Sequence, residues 1–326
     1  MNKNFKSAIV ILIPILLAFT VLQSLISLEI LNNYYTQILI VICINIILAA
    51  GLNMIIGFTG QLALGHAGFM SVGGYAAAIL TLKLHLPFPI VLLAGGLVAA
   101  LFGLIIGIPT LRLKGDYLAI STLGFGEIIR VLVINIDALG GARGLAGIPK
   151  ETNFAIVFFI TVAIILIIRN LMTSSHGRAM LSVREDEIAA EAMGINTTKY
   201  KIMAFVMAAF FAGIAGGLYA HYFMFLDPKS FDFLKSTEIL TFVVLGGMGS
   251  ISGSALAATV LTILPEALRP IAEYRMVIYS ASLILLMIFR PQGLLGTKEL
   301  SSLKIFNFKN NNLMKFKKGG SEDVAA

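Results

Sequence analysis

Four groups of residues have the types and spacing to do chemistry. The first is Ser175 to Lys201, SHGRAMLSVREDEIAAEAMGINTTKYK, a long polar interruption in an apolar chain. Helix formers dominate Arg184 to Met193, with Glu185, Asp186 and Glu187 where a helix dipole favours acids, and Gly194 follows as a helix stop. A short amphipathic helix of this kind can enter a groove on a soluble partner; it can equally cap a bundle or lie at the headgroups. The second group is Asn53, Thr59, Gln61, His66 and Ser71, set among Gly57, Gly60, Gly65, Gly68, Gly73 and Gly74. A helix broken there exposes N–H and C=O groups that can hydrogen-bond a passing zwitterion. The alternative is close packing by the glycines, with His66 bonded to a neighbouring carbonyl. The third group is the run Gly246-Gly247-Met248-Gly249-Ser250-Ile251-Ser252-Gly253, which interrupts apolar sequence on both sides. The fourth is Glu127 and Arg130, one helical turn apart. They can pair with each other, at the membrane boundary or against a partner subunit, or they can hold the two charged ends of an amino acid.

No pattern of an enzyme accompanies these groups. The chain has no H-E-x-x-H, C-x-x-C or G-x-S-x-G, and His66, His85, His176 and His221 are scattered. Cys43 is the only cysteine, so neither a disulfide within the chain nor a cysteine metal site is expected, and its role is that of a small apolar filler.

The elements that must position these groups are membrane helices. Of 326 residues, 58% are hydrophobic and 13% charged, about half the roughly 25% charged residues of a globular chain. Mean hydropathy is +0.93, and the apolar residues come in blocks. A soluble domain could not bury them. A hydrocarbon core of about 30 Å needs roughly 20 apolar residues per helix. Spans are readable at 7–28, 36–56, 88–108, 153–170, 202–223 and 276–290. Two more, 60–82 and 117–136, are richer in Gly, Ser, Thr and charge, and 237–268 is long and broken at its glycines. The basic start leads into an apolar run too long for a signal peptide, which favours a retained first helix.

Basic residues set the orientation. Arg112 and Lys114, then Arg178, Arg184, Lys199 and Lys201, then the lysines of the tail share one side if the N-terminus is cytoplasmic. This bias explains the net charge of +7 without nucleic acid. Parity then requires 237–268 to cross an even number of times, as two short helices joined at the break. The expected fold class is an all-α polytopic bundle of about ten membrane segments, some half-length, with both termini inside. Residues 1–300 are expected to form one transmembrane domain, with its cytoplasmic loop at about 171–201, and 301–326 a disordered cytoplasmic tail that can touch lipid. Small residues at Gly95, Ala99, Gly103 and Gly107, and at Ala209, Gly213 and Gly217, mark helix faces that pack closely.

Glu187-Ile188-Ala189-Ala190-Glu191-Ala192-Met193-Gly194 resembles the EAA-type coupling loop of ABC importer permeases. GLNMIIGFTGQLALGHAGFMSVGGYAAAIL (51–80), KGDYLAISTLGFGEIIR (114–130), SHGRAMLSVREDEIAAEAMGIN (175–196), VVLGGMGSISGSALAA (243–258) and FRPQGLLG (289–296) are similar to the LivM-type permeases of branched-chain amino-acid importers. These blocks span most of the chain from about 51 to 296, and only downstream of Gly194 does the spacing depart from the broader EAA signature. The resemblance implies a cell-membrane transport subunit, not an enzyme. It would pair with a related second permease, two cytoplasmic ABC ATPases that bind ATP and Mg, and an extracytoplasmic substrate-binding protein. The absence of a G-x-x-x-x-G-K-[ST] loop is consistent with nucleotide being bound elsewhere. It also implies that Arg184, Glu185, Glu187, Ala189, Ala190, Glu191 and Gly194 couple to the ATPases. Asn53, Gly57, Gly60, Gln61, Gly65, His66, Gly246, Gly247 and Gly249 are candidates to line the translocation path. Two rival readings are an ion-coupled transporter working alone, which would use Glu127 or His66, and an ABC permease for urea or short amides.

Overall fold

The structure, a computed structural model, describes residues 16–113, 115–271, 274–290 and 292–296. The beginning of the first expected span, Lys114 and the tail expected over 301–326 lie outside them. Among the described residues, twelve α-helices follow one another. They are α1 (Leu16–Ser27), α2 (Asn33–Thr59), α3 (His66–Leu84), α4 (Phe88–Thr110), α5 (Asp116–Asn135) and α6 (Phe154–Thr173). Then come α7 (Ser175–Glu185), α8 (Glu187–Ala192), α9 (Thr197–Phe223), α10 (Phe233–Gly246), α11 (Ile251–Ala267) and α12 (Arg275–Phe289). Among the described residues, six helices, α2 to α6 and α9, are long and apolar enough to cross a membrane. The all-α bundle is therefore as expected, and the long segment near 250 is two helices meeting at the glycine run.

The helix starts follow local chemistry. Asn32, Ser174, Asp186, Asn196, Asp232 and Ser250 each accept a backbone N–H of the first turn of α2, α7, α8, α9, α10 and α11 in turn. Such caps satisfy donors that have no partner inside the helix. The α3 N-terminus lacks a cap of its own and borrows two from afar: Leu64 N–H donates to Thr122 Oγ1 and Ala67 N–H to Ser236 Oγ.

The core is the packing of α9 against α3, α4 and α2. The small-residue faces read from the sequence meet here. A Cβ placed on Gly73 would stand 2.1 Å from Gly213 Cα, and one on Gly213 would stand 2.6 Å from Ala99 Cβ. Helix backbones thus touch directly, which suits a membrane protein whose helices gain little from leaving lipid. At the end where α9 finishes, a two-residue strand, β1 (Leu145–Ala146), pairs antiparallel with β2 (Phe225–Leu226). The glycine-rich loop 141–147 is thereby ordered, being a turn of 3-10 helix followed by β1.

Two expectations need correction. The loop expected over 171–201 with one helix near 184–193 is instead two helices broken at Asp186, whose extended backbone ends α7 while its carboxylate caps α8. In addition α9 begins at Thr197, five residues before the apolar run. Its first turn is polar, so hydropathy does not reveal it.

Candidate functional site

The residues singled out in the sequence converge at one end of the bundle, where α2 finishes. Asn53 is fully buried in α2. Its Oδ1 accepts the Gly249 N–H at 2.9 Å, and its Nδ2 donates to Ser250 O at 2.9 Å and to Ser254 Oγ at 3.4 Å. One amide side chain thus serves a donor and an acceptor of the irregular backbone between α10 and α11. Unpaired, such groups would be costly in an apolar interior. Contact is tightest at Gly57, where a Cβ would stand 2.3 Å from Gly249 N. From the other side, residues 292–296 strap the break: Leu294 N–H donates to Leu245 O at 2.7 Å and Leu295 N–H to Gly246 O at 3.3 Å.

The polar connection brings this end to its surface. Gly57 O belongs to the last turn of α2, whose carbonyls lack partners further along the helix. Arg184 of α7 donates to it from Nη1 at 2.6 Å, which also places a cation at a helix C-terminus. The same guanidinium holds Glu185, its neighbour, at 2.6 Å. Arg184, Glu185, Glu187, Gly60, Gln61 and Lys201 are among the residues lining a polar cavity of about 240 Å³ here.

Helix α8 is tied down by its acids. Glu187 pairs with Lys201 at 2.5 Å, and Glu191 Oε1 accepts from Thr197 Oγ1 at 2.7 Å. Lys201 and Thr197 are buried in the first two turns of α9, so α8 is fastened to a central helix of the core. Ala190 faces inward and Ala189 outward. The two large apolar side chains point away from the protein: Ile188 is 78% and Met193 82% exposed. Sequence reasoning used Lys201 only for orientation, quoted Ile188 and Met193 only as part of the coupling-type block, and gave Thr197 no role. The signal for Ile188 and Met193 is an Ile and a Met five apart on a helix whose buried side is alanine.

The remaining candidates divide between this connection and other parts of the bundle. Gly60 ends α2, and Gly65 packs on Thr122 of α5. Gly246 meets Gly253, and Gly247 meets Gly296. His66 is buried beside Gly51 of α2. Glu127 and Arg130 pair at 2.7 Å on α5, each about a third exposed. Among the described residues, no three of His, Cys, Asp and Glu are grouped to hold a metal ion.

The family described as branched-chain amino acid transport system / permease component matches residues 34–289, which hold every helix of this site. The chain belongs to that family. It is a multi-pass membrane protein and a transport permease. It is 40% identical over 287 residues to the high-affinity branched-chain amino acid transport system permease protein LivM of Salmonella typhimurium, covering 77% of this chain and 68% of that protein. The Escherichia coli K12 protein of the same name gives the same values. LivH of Escherichia coli K12, also named as a high-affinity branched-chain amino acid permease, is 26% identical over 289 residues, covering 79% of this chain and 92% of that one. No solved structure matches.

Replacing Asn53 by leucine leaves the Gly249 N–H without its side-chain partner, while Ser250 C=O keeps the Ser254 N–H and hydroxyl. A buried unsatisfied group costs about 1–3 kcal/mol, so detergent-solubilised protein is expected to unfold at a clearly lower temperature in a fluorescence size-exclusion melt. An unchanged melting curve would remove Asn53 as the pin of the break.

Proposed function

We propose that this chain is the membrane permease of an ABC importer carrying branched-chain or related small amino acids into the cytoplasm. Its partners are a related second permease, two cytoplasmic ATPases that bind ATP and Mg, and an extracytoplasmic binding protein that selects the cargo. It binds no nucleotide itself. Ten membrane segments, α1 to α6 and α9 to α12, run with both termini inside, so that α7 and α8 face the cytoplasm.

The carrying observation is the pair of exposed apolar side chains, Ile188 on α8 and Met193 at its C-cap, on an element otherwise fastened to the core. A helix presenting such anchors fits a groove on a soluble protein. Closure of an ATPase pair on nucleotide would push on α8. The push would reach α9 through Glu187 and Glu191, and α2 with the α10–α11 break through Arg184, Gly57 and Asn53. Binding that favours the closed ATPase pair would then shift the permease between inward-open and outward-open states. Asn53, Gly57 and Gly249 on this reading transmit the motion, while Gln61, Gly60, Gly65, His66, Gly246 and Gly247 remain the candidates for the path.

An ion-coupled transporter working alone needs an acid or histidine in the membrane to carry the ion. Glu127 is already held by Arg130, which counts against it. The deciding experiment is to tag the chain, extract it gently from its native membrane and identify what accompanies it. A P-loop ATPase and a second permease in stoichiometric amounts are expected, with leucine uptake that requires the binding protein. A chain that emerges alone and takes up solute with an ion gradient would overturn the proposal. Uptake of urea or acetamide in place of leucine would keep the importer and change its cargo.

A further inference from the structure

The opposite end of the bundle holds a second, amphipathic cavity. Its volume is about 810 Å³, and it opens between α1, the start of α2, the start of α6 and the end of α9. With 1.5 Å of rise per residue, it lies roughly 30 Å along α2 from the Arg184 contact, at the level of the far headgroups. Ile26, Ile40 and Phe154 make its apolar part. Lys150, at its rim, is the one charged side chain among the lining residues, and its ammonium stands 5.3 Å from the centre of the Tyr222 ring.

Two polar groups in this cavity lack partners. Thr152 is 1% exposed and its Oγ1 has no hydrogen-bond partner; Gln23 Oε1 of α1 is likewise buried and unbonded. Buried polar atoms of this kind are expected to be satisfied, by water or by something bound. Water alone does not account for the apolar half of the cavity. A molecule with an anion, a hydroxyl donor and a hydrocarbon tail satisfies all of it.

We infer that this cavity binds a phospholipid with an anionic, hydroxyl-bearing headgroup, of the phosphatidylglycerol class. The phosphodiester lies against the Lys150 ammonium and accepts from the Thr152 hydroxyl, while an acyl chain follows Ile26, Ile40 and Phe154. A headgroup hydroxyl donates to Gln23 Oε1. An ammonium headgroup could also donate there, but it would bring a second cation beside Lys150 with no carboxylate among the lining residues to receive it. Leu16, Leu17 and Val21 of α1 are exposed, which places this corner at the lipid-facing perimeter of the chain. The inference needs only that the protein sits in a membrane, so it stands apart from the reading of cargo and ATPase partners.

The test is native mass spectrometry of the full complex in neutral detergent. Equimolar palmitoyl-oleoyl phosphatidylglycerol and phosphatidylethanolamine are added as probes. The wild type is expected to retain phosphatidylglycerol about tenfold over phosphatidylethanolamine, the size of effect a charge-assisted contact gives. Lys150→Ala should bring the ratio near one, and Lys150→Arg should restore most of it. Thr152→Val removes a hydrogen bond to the phosphodiester that both lipids carry, so it should lower the retention of both at least tenfold and leave their ratio unchanged. Equal retention of both lipids by the wild type would overturn the inference, as would an unchanged ratio in Lys150→Ala. Inorganic phosphate or glycerol phosphate at millimolar concentration should not displace the lipid. Displacement would assign the cavity to a soluble anion instead.

Discussion

Replacing Arg184 by alanine is expected to lower amino-acid uptake by the reconstituted transporter at least tenfold while leaving ATP hydrolysis near its normal rate. The guanidinium donates to Gly57 O at 2.6 Å, which ties α7 to the C-terminal turn of α2. Hydrogen bonds to a charged group contribute about 1.5–3 kcal/mol, a factor of roughly ten to a hundred in any equilibrium that depends on them. On the proposed reading hydrolysis is chemistry of the partner subunits, and Ile188 and Met193 stay exposed in this variant. The two activities should therefore separate. The measurement is leucine accumulated per ATP consumed in proteoliposomes of the complete assembly. Proportional loss of both activities would mean that Arg184 maintains the fold without transmitting anything. Normal uptake would sink its coupling role altogether. Arg184→Lys keeps the charge but loses the forked geometry, and an intermediate ratio is expected.

Gly73→Val should have the largest effect on folding. A Cβ at Gly73 would stand 2.1 Å from Gly213 Cα and 2.5 Å from Gly213 O, so the obstruction is backbone and cannot turn aside. Forcing it requires α3 and α9 to separate along the centre of the core. Overpacking typically costs about 1–3 kcal/mol, and the cost here should lie at or beyond the upper end. The expected result is little or no monodisperse protein after extraction. Gly124→Ala is the matched control, because nothing lies within 4 Å of its Cβ position, and it should extract as the wild type does. Normal yield of Gly73→Val would show that α3 and α9 are not so closely packed.

How much of this was legible in the sequence varies with the range of the interaction. Membrane helices are dictated by apolar blocks of about 20 residues, and their starts by local caps such as Asn32, Asp232 and Ser250. The break at 246–253 is likewise local, because clustered glycines end one helix and Ser250 begins the next. Glu127 and Arg130 are neighbours by helical period alone. The division of α7 from α8 was missed because Asp186 suits a first turn as well as a cap, and an unbroken acidic run favours neither. The polar first turn of α9 hid for the same kind of reason: its role depends on Glu187 and Glu191, which return from α8. Asn53 was visible as a polar residue in a helix, but its partner Gly249 lies 196 positions away. No local rule distinguishes an amide facing a solute from one pinning a turn. The glycines illustrate this ambiguity: Gly57 and Gly249 were read as candidates for the path, and the structure packs them against each other.

The central claim is that α8 meets an ATPase with Ile188 and Met193. Its most direct test uses the single cysteine, which is buried and so easily removed from consideration. In a Cys43→Ala background, Ile188→Cys is labelled with a benzophenone maleimide in native membranes and irradiated. The account predicts one covalent adduct with a cytoplasmic P-loop ATPase, in a yield that differs between nucleotide-free and nucleotide-trapped states. A label placed at Leu97, exposed on α4 away from α8, should give none. Adducts with lipid alone from position 188, or equal ATPase adducts from both positions, would contradict it.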